Sequence, residues 1–198
     1  MNTPLNQTRD QILASTIWPA KTNTMARNII LAIAGSLLLW VSAKIQIPFY
    51  PVPMTMTTFV VLGLGAAFGW RLAIATLLLY MAQGAAGLPV FAGTPEKGIG
   101  LAYMVGPTGG YLVGFVAASG LVGWLAQKGA DKNVFKMFAA MLAGSAVIYL
   151  FGATWLSTLI GVEKAIQFGV APFIYGDLLK AALAAAVFPA VWKLLART

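Results

Sequence analysis

Asp177 and Lys180 stand three residues apart in APFIYGDLLKAALAAAVFPAVW, the last long apolar stretch of the chain. On a helix that spacing puts both side chains on one face, within reach of each other. At the centre of a membrane-spanning helix an ionised side chain costs about 2.5–3.5 kcal/mol or more, so a retained carboxylate and ammonium point to use. Two uses compete. The pair could tie helices together as a structural ion pair, or it could form a polar reader in a binding site.

Acid–base chemistry of the intramembrane aspartyl-protease kind is a third use, since Gly176-Asp177 has the form of that motif. It needs two facing carboxylates, one as acid and one as base. No other Asp falls in an apolar stretch, because Asp10 is near the N-terminus and Asp131 sits in a polar turn. A Ser–His triad, a thiol nucleophile and an imidazole or thiolate metal site are excluded outright, since the chain has no His and no Cys. Five acidic residues scattered along the chain offer little for a metal, so none is expected.

The elements that would position the pair follow from composition. Of 198 residues, 60% are hydrophobic and only 9% charged, with a mean hydropathy of +0.83. A soluble domain of this size carries about a quarter charged residues. This chain cannot cover a water-facing surface, and the sequence predicts one compact all-α integral membrane domain in a lipid bilayer. The net charge of +8 is not a nucleic-acid signal, because no basic patch interleaves with aromatics.

Residues 1–26 read as a polar tail or a short helix on the membrane surface, ahead of a membrane domain over 27–198. Six spans are expected, at about 27–44, 55–69, 72–88, 107–126, 137–160 and 171–192. Gly69-Trp70-Arg71 joins the second and third, because the apolar run from Met54 to Phe91 is too long for one span. Lys128, Asp131, Lys132 and Lys136 mark one polar turn, and Glu163 with Lys164 another. Val41-Ser42-Ala43 resembles a signal-peptidase site, but the long leader and the spans that follow argue against cleavage.

Six spans put both termini on one side, with nine basic and two acidic residues, net +7. The other side holds Lys44, Lys97 and Lys164 against Glu96 and Glu163, net +1. The asymmetry places both termini in the cytoplasm. Asp177 and Lys180 then lie about 9–14 Å below the outer surface.

Two helix-breaking segments face that outer side: IQIPFYPVPMT, with Pro48, Pro51 and Pro53, and PVFAGTPEKGIGLAYMVGPTGG. The first is apolar enough to fold back into the protein, and the second has the length of a functional lid. Apolar loops above a polar pair suggest a covered small-ligand pocket. Gly106, Gly109 and Gly110 would let backbone approach a ligand, or only make a tight turn. Among the aromatics Phe49, Tyr50, Tyr80, Phe91, Tyr103, Tyr111, Phe173 and Tyr175, the best placed are Tyr80, Phe91 and Tyr111. Gln83 is a polar candidate, or an interhelical hydrogen bond. Ala32-xxx-Ser36 fits a close helix-packing pattern, either toward another membrane protein or into this bundle.

Four segments, IQIPFYPVPMTMTTF, YMAQGAAGLPVFAG, GPTGGYLVGF and PFIYGDLLKAALA, resemble the BioY family, the biotin-binding S components of energy-coupling factor (ECF) transporters. The matches run in order over about residues 27–192. The resemblance implies a six-helix S-component fold that binds biotin from outside, has no catalysis or cofactor of its own, and docks on a transmembrane coupling protein and two cytoplasmic ATPases. It puts Asp177 and Lys180, in the pattern GD-x-x-K, on the biotin head group, with the proline loop (Pro53, Thr55) and GPTGGY lining or covering the site. Tyr80, Gln83, Phe91, Gly109 and Tyr111 complete the expected biotin contacts, and Ala32 and Ser36 the expected coupling-protein interface. The sequence departs from the family at Thr57, where the pattern T-x-Q has Gln. For the biotin carboxylate Lys44 and Lys97 are the available cations. An autonomous small-molecule transporter is the alternative reading.

Overall fold

A computed structural model describes residues 12–18, 24–48 and 50–196. Most of the tail expected over 1–26 lies outside these residues, as do Phe49 and the charges at Arg9, Asp10, Lys21 and Arg197. Within the tail, Leu13–Ile17 forms one short helix, α1, with Ala14 buried.

Apolar length dictates the rest. Helix α2 (Thr24–Lys44) turns Ile29, Ile30, Ile33, Leu37, Leu38 and Val41 outward, a pattern suited to lipid and not to water. The three prolines then stop helix formation. Strand β1 (Gln46–Ile47) pairs antiparallel with β2 (Met54–Thr55), Gln46 opposite Thr55, and Pro51, Val52 and Pro53 between them are buried. This second part of the apolar loop folds back into the protein, as its composition predicts, whereas Ile45, Ile47 and Tyr50 in the first part stay exposed.

Helix α3 (Thr57–Ala85) is broken at Gly69, whose φ of 73° and ψ of 167° are not helical. That conformation is open essentially to glycine alone. The chain folds back there. A side-chain carbon placed on Gly35 would lie 2.7 Å from Thr76 and 3.5 Å from Leu64, yet on a straight helix those two residues stand about 18 Å apart. The two halves of α3 thus lie side by side, and both pack on α5 (Gly109–Gln127), the most buried of the long helices.

Among the described residues five helical stretches are long and apolar enough to cross a membrane, the second being the whole of α3 and the last running from Val162 to Leu195. The sequence expectation of separate spans at 55–69 and 72–88 corresponds to the two arms of α3. A second difference lies after α6 (Val134–Ile160). Glu163 and Lys164 do not mark a turn but belong to a short helix, α7 (Val162–Gly169). It buries Ala165 and exposes Glu163, Lys164 and Ile166. A 3-10 turn, Ala171–Phe173, leads into α8 (Ile174–Leu195). The loop after α3 contains one short helix, α4 (Gly100–Met104).

The core runs through the middle of this bundle: Ala118, Val122 and Ala126 of α5 against Leu62, Leu77, Met137, Met141 and Ile148. At one end of it three tryptophans each meet a cation. Arg71 lies 5.0 Å from the ring centre of Trp70, Lys128 3.5 Å from Trp124, and Lys132 4.4 Å from Trp192. The hairpin and the 86–99 loop occupy the opposite end.

Candidate functional site

At that opposite end Asp177 sits in the first turn of α8, where the positive end of the helix dipole favours an anion. Its Oδ1 lies 2.9 Å from Nζ of Lys180, and both side chains are almost fully shielded from solvent. Lys180 makes two further bonds, to the Thr55 carbonyl at 2.9 Å and to Thr58 Oγ1 at 2.8 Å. All three ammonium protons are therefore spent on the protein. Thr58 in turn donates to Asp177 Oδ1 at 3.2 Å, and Tyr149 from the middle of α6 donates to Oδ2. An ionised carboxyl offers about four lone-pair sites, so one acceptor position on Oδ2 remains open.

Asp177 lines a cavity enclosing about 590 Å³, counting the part open to solvent. The walls come from every part of the bundle: Ala43, Val52, Pro53, Thr55, Thr57 and Thr58 on one side, Tyr111, Leu112, Phe115, Ile148, Tyr149 and Phe173 on the other. Tyr80, Phe91, Ala92 and Tyr103 close a third side. The Phe91 ring stacks on Tyr103, centroids 4.9 Å apart, and meets Tyr80 edge-on at 5.3 Å. Such pairs add about 0.5–1.5 kcal/mol each beyond burial.

The hydroxyls behind these rings serve the scaffold. Tyr80 donates to the Val90 carbonyl and Tyr103 to that of Ala92, each at 2.9 Å, which pins the 86–99 loop over the cavity. Tyr111 donates to the Gly169 carbonyl at 2.7 Å and fixes the end of α7. Lys44 gives all its protons to the same loop, to the carbonyls of Phe91 and Thr94 and to Thr94 Oγ1, each at 3.1 Å. The cavity thus presents an apolar, aromatic interior with one anionic acceptor.

Of the residues singled out in the sequence, Asp177, Tyr80, Phe91, Tyr111, Pro53 and Thr55 come together around this cavity. Lys180 stands behind Asp177 and is not part of the lining. Gln83 is elsewhere, donating to Ser36 Oγ at 3.2 Å in the packing of α2 on α3. Gly109 is also outside the lining, packed against the Met104 carbonyl and Trp155. Ser36 is fully buried and donates to the Ile33 carbonyl. It faces into the bundle, which corrects its expected place on a docking face; Ala32 remains partly exposed. Lys97 is exposed and lines a neighbouring cavity with Tyr50, Pro51, Tyr103 and Thr108. Thr58 and Tyr149 are additions. Tyr149 carries a polar group at membrane depth, the one signal that marks it in the sequence.

The carboxylate pair of an aspartyl protease does not form among the described residues. Asp131 is buried, but it bonds Trp192 near the far end of α8, at 2.5 Å.

Comparison with known proteins identifies the family of the chain. The BioY family profile matches residues 13–197. A probable biotin transporter BioY of Pyrococcus horikoshii is 40% identical over 144 residues, covering 73% of this chain and 83% of that protein. The biotin transporter BioY of Thermotoga maritima is 38% identical over 163 residues, covering 81% and 93%. A crystal structure of the S-component for biotin from an ECF-type ABC transporter superposes with a TM-score of 0.73 over 88% of this chain and 95% of that one. At 24% identity, that likeness speaks for the fold. The chain belongs to the BioY family.

Proposed function

We propose that this chain captures biotin at the outer face of the cytoplasmic membrane and serves as the substrate-binding component of an ATP-driven uptake transporter. The observation that carries the reading is the Asp177 carboxylate, held by Lys180, Thr58 and Tyr149 at the wall of an aromatic cavity with one acceptor position open. The ureido ring of biotin offers two N–H donors. A bond from one of them to an ionised carboxylate in a dry site is about twice as strong as its neutral counterpart. The bicyclic ring and the valeryl chain are apolar apart from the terminal carboxylate, and suit Tyr80, Phe91, Phe115 and Phe173. Thr57 keeps a hydroxyl in the lining, 3.5 Å from Ser42 Oγ.

In this reading the two arms of α3 are separate spans, α7 lies at the outer surface, and six spans place both termini in the cytoplasm. The Trp–cation pairs at the end opposite the cavity support that orientation. The relatives' names and the fold support biotin as substrate. A transmembrane coupling protein and two cytoplasmic ATPases are the partners such a component requires, since residues 27–198 carry no phosphate-binding loop. The chain performs no chemistry itself.

Titration of the purified protein with biotin tests the reading. Wild type is expected to bind, and Asp177→Asn to bind about tenfold more weakly or worse, the worth of one charged hydrogen bond. Unchanged affinity in that variant removes Asp177 from the site, and no binding by the wild type ends the proposal.

A further inference from the structure

The tryptophan-lined end of the bundle holds a second, wider cleft, with about 1240 Å³ of open space between α1, α2 and the fold-back of α3. Its walls include Ile29, Phe68 and Leu72, and its polar groups are Thr24, Arg27, Asn28, Arg71 and Gln127. Arg27 is only 9% exposed. Its Nη1 donates to the Trp18 carbonyl at 2.9 Å, and Nε and Nη2 donate to Asn28 Oδ1 at 3.3 and 3.1 Å. A guanidinium has five N–H donors, so two stay open. Among the described residues the one ion pair is Asp177–Lys180, so neither arginine meets a carboxylate. A buried cation without a counter-ion is costly unless something anionic joins it.

The geometry points to an anionic phospholipid as the occupant of this cleft, its phosphate held between Arg27 and Arg71 and its glycerol and upper acyl chain against Ile29, Phe68 and Leu72. Three features select a lipid. The Trp70, Trp124 and Trp192 belt sets this end at headgroup level. The guanidinium fork matches a phosphate in two parallel bonds. Basic pockets between helices on the cytoplasmic side are where anionic headgroups lodge. The second arm of α3 also starts at the cleft, and its positive dipole end adds to the field. The inference rests on the membrane orientation proposed above but not on biotin.

The test is native mass spectrometry of the full chain in detergent, titrated with phosphatidylglycerol and with phosphatidylcholine of the same acyl chains. One phosphatidylglycerol per chain is expected to be retained in preference. Arg71→Ala, at an exposed position, should cost about fivefold in that preference, the worth of one basic group near an anionic lipid. Lys136→Ala, exposed and outside the cleft, should cost nothing. Biotin titration of the same Arg71→Ala sample shows whether it is folded and keeps failure of this inference separate from failure of the substrate reading. Equal retention of both lipids overturns the inference. So does an unchanged preference in Arg71→Ala, or a protein subunit that protects the cleft while no lipid is retained.

Discussion

Lys180 holds Asp177 in place, and its ammonium has no proton left for a ligand: 2.9 Å to Asp177 Oδ1, 2.9 Å to the Thr55 carbonyl, 2.8 Å to Thr58 Oγ1. The pair thus divides labour. Asp177 faces the cavity, and Lys180 ties that carboxylate to the hairpin loop and to the first turn of α3. The desolvation that a buried charge suffers is offset only while both partners are present.

The first prediction is non-additivity. Lys180→Met leaves Asp177 buried without its counter-ion, and breaking such a pair costs about 3–5 kcal/mol. Its melting temperature is expected to fall below that of the double variant Asp177→Asn/Lys180→Met, in which both charges are gone. Biotin affinity of the double variant should equal that of Asp177→Asn alone, because Lys180 acts through Asp177. Losses that multiply in the double variant would place Lys180 on the ligand directly.

Tyr149 gives the second prediction. Its hydroxyl donates to Asp177 Oδ2, the oxygen that keeps an acceptor position open, and both residues line the cavity. Tyr149→Phe keeps the ring and removes one bond to a charged group, worth about 1.5–3 kcal/mol. Biotin binding, measured by calorimetry, is expected to weaken about tenfold. Thr58→Val, which removes the hydroxyl lying between Lys180 and Asp177, should act in the same direction. A Tyr149→Phe protein that binds as well as wild type shows that Asp177 is oriented by α8 alone.

How far these groups are legible in the sequence depends on how far apart they stand along it. The i, i+3 spacing of Asp177 and Lys180 announces their pairing, and the run of 38 residues from Met54 to Phe91, apolar apart from Arg71 and a few neutral polar side chains, announces a fold-back near Gly69. The partners of the pair announce nothing, because Thr58 and Tyr149 reach Asp177 from 119 and 28 residues away. Gln83 and Ser36 look like separate functional candidates and turn out to satisfy each other. Helix α7 was hidden by its charges: Glu163 and Lys164 resemble a polar turn, but a helix at a surface carries charges on one face while Ala165 packs inward.

Gly69 supplies the third prediction. An alanine there must adopt φ near 73° with ψ near 167°, and its methyl group would stand 3.1 Å from Gln127 Nε2 and 3.2 Å from Ile12. Strain of this kind costs about 1–3 kcal/mol. Gly69→Ala should lower the melting temperature by several degrees. Biotin affinity at moderate temperature should be kept, since the break lies at the end of the bundle away from the cavity. A loss of affinity without a loss of stability would mean that the fold-back of α3 sets the cavity.

The last prediction concerns Asp131, in the turn between α5 and α6. Its Oδ2 accepts from Trp192 Nε1, while Oδ1 is buried with no partner. Burial pushes the carboxyl above its ordinary range, and the Trp192 bond and the nearby Lys132 charge pull it only partly back. The folded protein therefore holds this proton more tightly than the unfolded chain does. The resulting stability is complete below the unfolded value and declines as pH rises through the folded one. Asp131→Asn cannot ionise, and its amide oxygen can still accept from Trp192. Relative to wild type, its melting temperature should gain as pH is raised from about 4 to 8, following the charge that wild type must bury. Thermal melts of both proteins across that range check the slope. A difference that stays flat with pH means that Asp131 is not the group whose ionisation weakens the folded state.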